Sequence, residues 1–241
     1  MRSLLLALLG CLASLCHAEE LRWGFSSADG MPYVDVQEQQ LRGGFTYRLG
    51  MRVSEQLGLE LRFIDTPNKR LERFIQRGRI HLICNSNPDW VAEPRRYHWS
   101  PPLYQEADVL LLHEQHAPVE KLQDLYGAVL GTQLGYVYSA PLMEAFARQL
   151  VTRKNIRDLD TKLSMLSKRR IDALIDMRRP LLRKLAQRPD LPLRLATWVV
   201  QRYQLYCLYG AELPVSAERL DSVLRQLRDS GAIAQMLEDR P

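Results

Sequence analysis

Residues 74–85 read FIQRGRIHLICN, and residues 165–176 read MLSKRRIDALID. Phe74 and Ile75 fall on Met165 and Leu166, Arg79 and Ile80 on Arg170 and Ile171, Ile83 on Leu174, and Asn85 on Asp176. Each copy is a short helix feeding an apolar run, and each run stops at a polar residue. A short apolar run bounded by turn signals reads as a strand buried on both faces, which is the strand of a parallel sheet covered by helices. A chain that carries the unit twice reads as two α/β halves. In open α/β sheets ligands gather beyond the carboxyl ends of the strands. Asn85 and Asp176 are the first polar groups past that edge, so two halves that face each other place both in one cleft.

The surrounding sequence extends this pattern. LRWGFS (21–26) reads as a strand, and FTYRLGMRVSEQLG (45–58) as a helix with Phe45, Leu49, Val53 and Leu57 on one stripe and Gly58 as its stop. LELRFID (59–65) is a strand, NKRLERFIQRG (68–78) a helix closed by Gly78, and RIHLICN (79–85) a third strand. ADVLLLHE (107–114) leads to a second series: GAVLGTQL (127–134), a helix from Ala140 to Val151, the helix LDTKLSMLSKR and the strand IDALID. A basic helix at 179–189 and two strands, LRLATWVV and YQLYCLYG, follow. The last helix (216–240) has Ser216 as its N-cap and a break at Gly231.

The N-terminus reads as a signal for export from the cytoplasm. Arg2, the apolar run LLLALLGCLASLC and the small Ala18 read as a secretory signal peptide over residues 1–18. The apolar stretch is shorter than the roughly 20 residues that a membrane-spanning helix needs. The 33 Lys and Arg stand against 28 Asp and Glu, a net charge of +5, and the signs are mixed along the chain. Solvated helix faces account for that pattern, so no nucleic-acid partner is expected. Once the signal is removed Cys84 and Cys207 are the cysteines left. An oxidising compartment invites a disulfide between them, whereas their apolar strands suit two buried thiols, the reading favoured here. His113, Glu114 and His116 read as a solvated linker rather than a metal site, and no cofactor or metal is expected. No histidine has a nucleophile or carboxylate at a spacing that supports catalysis.

Seven pieces in register resemble the extracytoplasmic solute-binding proteins of ABC importers, family 3, the type that binds polar amino acids. They are LRWGFSSADGMPYV, LRGGFTYRLGMRVSEQLGLELRF, IQRGRIHLICN, YHWSPPLY, GAVLGTQLGYVY, SKRRIDALID and the final helix with its Gly231. The resemblance covers nearly the whole chain after residue 18. It implies a periplasmic-binding-protein type II fold of two α/β lobes: residues 19–112 with 202–241, and residues 113–201. Two crossing strands, about 107–112 and 202–209, join them, and the lobes close on a small molecule by a hinge motion. It also implies a periplasmic monomer without enzymatic activity and an ABC permease in the inner membrane as partner.

The same resemblance implies some of the site residues, and the local sequence offers the others. Asp176 stands where the family carries its ammonium-binding acid; the alternative is a cap on the following helix. Gly135 lets the backbone approach a ligand, and Tyr136 replaces a small hydroxyl residue. The family's carboxylate-binding arginine has no exact counterpart, since Glu93 stands six residues before Trp99; Arg95 and Arg70 are the candidates. Tyr33, after Pro32, and Trp90 are candidate aromatic walls. Ser86, like Asn85, follows the third strand as a hydrogen-bonding group. The returning strand YQLYCLYG is expected beside RIHLICN, which brings Cys84 and Cys207 onto neighbouring strands. A periplasmic enzyme or the partner of a membrane sensor on the same fold are the alternative functions.

Overall fold

The computed structural model describes residues 19–238, so the proposed signal peptide lies outside the described residues. The chain opens with β1 (Glu20–Phe25), forms a hairpin of β2 (Asp35–Gln37) and β3 (Gln40–Gly43), and enters α1 (Gly44–Leu57). Phe45, Leu49, Val53 and Leu57 bury one stripe of α1, and Gly58 ends it in the left-handed region at φ 69°. Then come β4 (Glu60–Asp65), α2 (Leu71–Gln76) and β5 (Leu82–Ser86). β1 lies between β4 and β5, parallel to both. Residues 68–76 begin as a single 3-10 turn at Asn68–Arg70, and Phe74 and Ile75 are the buried anchors of α2.

β6 (His98–Trp99) is a two-residue edge, and β7 (Tyr104–His113) leads into the second half. There β8 (Val129–Gln133), α3 (Ala140–Ala147), β9 (Thr152–Ile156), α4 (Leu159–Ser167), β10 (Ala173–Met177) and α5 (Arg178–Gln187) follow in turn. β11 (Leu193–Tyr209) returns to the first half, where α6 (Ala217–Asp229) and α7 (Ala232–Glu238) complete the described chain. Gly231, at φ 80°, separates these two helices. The strand order is β4-β1-β5-β11-β7-β10-β8-β9, with β6 also on β11.

β11 belongs to both halves. Tyr206–Tyr209 pair antiparallel with β5, while Leu193–Leu205 pair antiparallel with β7. The hydrogen-bonded path is therefore continuous through the crossing strands, but the cores divide. Leu21, Trp23, Phe45 and Leu49 pack with Leu220 and Leu224 in one lobe. Leu110, Leu130, Leu142 and Ala173 form a core on one face of the other sheet, and Val109, Leu163, Leu174 and Leu181 a core on its other face.

Three elements depart from the sequence-based expectation. Residues 193–209 form one long strand rather than two, because register shifts at Leu195/Val199 and Val199/Gln201 absorb the irregularity without breaking the pairing. The third helix ends at Ala147 instead of Val151, as Gln149 takes a positive φ of 58°. The next residues form β9, an edge strand whose mostly exposed side chains give it no apolar alternation to read.

The crossing strands bury an acid between them. Asp108 on β7 faces Gln201 on β11 and accepts from Gln201 Nε2 at 2.7 Å and from the Tyr203 hydroxyl at 2.8 Å. Burial pushes its carboxyl up from 3.8 to about 7, against those two hydrogen bonds and with help from Asp176 and Glu106. A raised carboxyl stabilises the fold fully below its unfolded value, and that contribution disappears as pH rises through about 7. Asp108→Asn is therefore expected to gain about 2–3 kcal/mol on the parent between pH 5 and pH 8, and to match it only below about pH 4. Urea unfolding at the two pH values checks this, and a variant destabilised equally at both contradicts it.

Candidate functional site

β1, β4 and β5 all point their carboxyl ends at the second lobe, and a cavity lies there. The first lobe supplies Asp29 from the loop after β1, Glu72 from α2, and Asn85, Ser86 and Trp90 from β5 and beyond. The second lobe supplies Gly135, Tyr136, Val137 and Met177. Gly135, at φ 86°, lies so close to the first lobe that a Cβ there would be 3.2 Å from Lys69 Cγ and 3.4 Å from Asn68 Cβ. Tyr136 packs against the cores of both lobes.

Asp29 is the centre of this arrangement. Asn85 Nδ2 donates to its Oδ2 at 2.9 Å, and the Tyr136 hydroxyl donates to its Oδ1 at 2.7 Å, so one carboxylate receives a hydrogen bond from each lobe. Asn85 is itself oriented from behind, because its Oδ1 accepts from the Tyr104 hydroxyl. Its backbone is left-handed at φ 57°, opposite the register shift between Tyr206 and Leu208 on β11. Such irregularities in strands turn a side chain out of the normal alternation. Desolvation raises the Asp29 carboxyl from 3.8 to about 6; Tyr136 and Asn85 oppose the shift, and Asp176 adds to it.

Asp176, at the end of β10, has an internal partner. Lys162 of α4, completely buried, donates through Nζ to Asp176 Oδ2 and at 2.9 Å to Gln133 Oε1. The other Asp176 oxygen accepts from the Met177 N–H at 2.8 Å. The acid assigned from sequence to a ligand ammonium thus already has its charge offset by the chain's own ammonium. The helix-cap alternative is not what the structure shows either, since α5 has no side-chain cap. Asp176 borders an adjoining cavity, which meets the first at Asp29.

The other candidates divide between the cavity and other positions. Asn85, Ser86, Trp90, Gly135 and Tyr136 line it together. Tyr33 does not: it is fully buried, stacked on Tyr104 with ring centroids 6.2 Å apart, and its hydroxyl donates to the buried Glu106. Arg95 is exposed on a 3-10 turn at Pro94–Arg96, and Arg70 is exposed at the start of α2. Neither lines the cavity. Cys84 and Cys207 form a disulfide, which corrects the expectation of free thiols. Their strands pair antiparallel, which brings the two sulfurs together.

Sequence reasoning missed Asp29, Glu72, Lys162 and the Glu106–Arg179 pair. Arg179 of α5 donates through Nη1 to Glu106 Oε2 at 2.8 Å and to the Gln105 carbonyl at 2.9 Å, so it ties the second lobe to a crossing strand. Lys162 left a readable signal. It shares a helical stripe with Leu159, Leu163 and Leu166, and a charge on an apolar stripe needs a buried partner.

No family model matches the chain, and no curated protein matches it in sequence. Solved structures match in fold. An ancestral arginine-binding protein bound to arginine is 17% identical, with a TM-score of 0.75 over 92% of this chain and 98% of that one. A mutant of ArgBP from T. maritima is 21% identical, with a TM-score of 0.74 over 91% of this chain and 93% of that one. The GluR0 ligand binding core in complex with L-glutamate is 15% identical, with a TM-score of 0.75 over 92% and 96%. The chain has the two-lobed α/β fold of periplasmic binding proteins.

Proposed function

We propose that this chain is a periplasmic solute-binding protein that captures a small polar, amino-acid-sized solute between its lobes and delivers it to an ABC permease in the inner membrane. The observation that carries the reading is the cavity at the strands' carboxyl ends, where Asn85 of one lobe and Tyr136 of the other converge on Asp29. A solute amine that takes the lone pairs left on Asp29 adds a partner to the carboxylate on which the lobes already meet, so binding and lobe closure are coupled. Capture is then a population shift about the strands β7 and β11, and the solute leaves unchanged. The arginine and glutamate complexes among the structures of like fold support a ligand of this size. The apolar N-terminal segment after Arg2 supports export.

The test is a thermal-shift screen of amino acids, opines, polyamines and small organic acids against the mature chain. A ligand that binds only the folded form at about 100 times its Kd adds about 2.7 kcal/mol of stability, which is several degrees of melting temperature. Saturable binding with recovery of unaltered solute is expected. Failure of every class to shift the transition, or conversion of the bound compound, would refute the proposal.

A further inference from the structure

We infer that the solute is a small organic amine that lacks a carboxylate. This rests on the solute-binding reading above and concerns the same cavity. The charged side chains that line it are two acids, Asp29 and Glu72; among the described residues no lysine or arginine does so. Glu72 is fixed in place, accepting from the Ala92 N–H at 3.1 Å and from the Tyr97 hydroxyl at 3.2 Å. Asp29 has one donor on each oxygen, which leaves lone pairs for an ammonium. Trp90 and Tyr136 add aromatic rings, whose faces attract cations.

An α-carboxylate has no counterpart in this wall. The nearby guanidinium groups are engaged elsewhere: Arg179 holds Glu106, and Arg153 donates to the Tyr136 carbonyl at 2.8 Å and lies over the Tyr138 and Phe146 rings. Lys69 meets the second lobe with its aliphatic stem at Gly135 and is exposed. A carboxylate brought between two acids loses its hydration and gains repulsion. An ammonium is attracted by both. Beyond Asp29 the adjoining cavity does hold Arg157, Arg183 and Lys184, and a carboxylate reaching them is the competing arrangement.

Matched pairs that differ by the carboxylate alone separate the two: agmatine and arginine, cadaverine and lysine, tyramine and tyrosine, titrated calorimetrically at pH 8. At least one amine is expected to bind tenfold or more tightly than its amino acid. Asp29→Asn and, independently, Glu72→Gln are expected to weaken that amine at least tenfold, with circular dichroism confirming that each variant folds. Amino acids that bind as tightly as their amines, or more so, overturn this inference and leave the solute-binding reading standing. Absence of binding by both members of every pair, joined to a negative screen, overturns both.

Discussion

Lys162→Met is expected to destabilise the protein by about 3–5 kcal/mol. Methionine keeps the length of the stem and fills the same space, so the loss isolates the ammonium. Lys162 is completely buried in the second lobe, and both of its partners, Asp176 and Gln133, are buried as well. Removing one member of such a pair strands the other charge in a medium that cannot solvate it, and the stranded charge costs more than the pair itself contributed. The double variant Lys162→Met with Asp176→Leu removes both charges and is expected to regain most of the loss. Urea unfolding of the two single variants and the double variant measures this as a double-mutant cycle. A single Lys162 variant within about 1 kcal/mol of the parent would mean that the ammonium is not committed to Asp176.

This pair also shows why the fold was easier to read than the site. The stripe of α1, the apolar strands at 82–86 and 173–177, and the breaks at Gly58 and Gly231 are local patterns. Each is specified within a few residues and survives whatever packs on it. Asn85 was legible for the same reason, as the first polar group past an apolar run. The partners of Asp29 were not legible, since Tyr136 and Asn85 reach it from positions far apart in the chain and in different lobes. Tyr33 follows a proline in a loop, a pattern that points equally to a cleft wall and to a core ring. The buried Glu106, which accepts its hydroxyl, decides between them. Asp176 read as a free acid because the apolar stripe that marks Lys162 as buried does not say which acid it meets, and only the strand behind α4 supplies that partner. β11 read as two strands because Gln201 and Arg202 interrupt its apolar character, while its pairing with β7 runs through them.

Cleaving the Cys84–Cys207 bridge is expected to have an effect of similar size. The bond joins residues separated by 123 positions, and a loop that long, if closed only in the folded chain, costs about 4–5 kcal/mol of extra chain entropy in the unfolded state. The Cys84→Ala/Cys207→Ala variant, or the parent in reductant, is therefore expected to unfold at a markedly lower urea concentration. Two unaltered thiols that react with iodoacetamide in the denatured, unreduced protein would refute the bond, and an unchanged midpoint in reductant would refute its contribution. Loss of affinity is expected beside loss of stability, for a reason that lies in the residues next to the bridge. Cys84 immediately precedes Asn85, whose left-handed backbone aims Nδ2 at Asp29, and Cys207 lies on the strand that continues into the second lobe. The Cys207 N–H is further held by Ser100 Oγ at 2.8 Å, so β11 keeps its place when the bond is cut and the slack falls on β5. Reduction should then weaken the orientation of Asn85 more than the position of the hinge. Solute affinity is expected to fall under native conditions in which the lobes remain folded, and calorimetric titration with and without reductant, at a urea-free baseline, reads that difference directly.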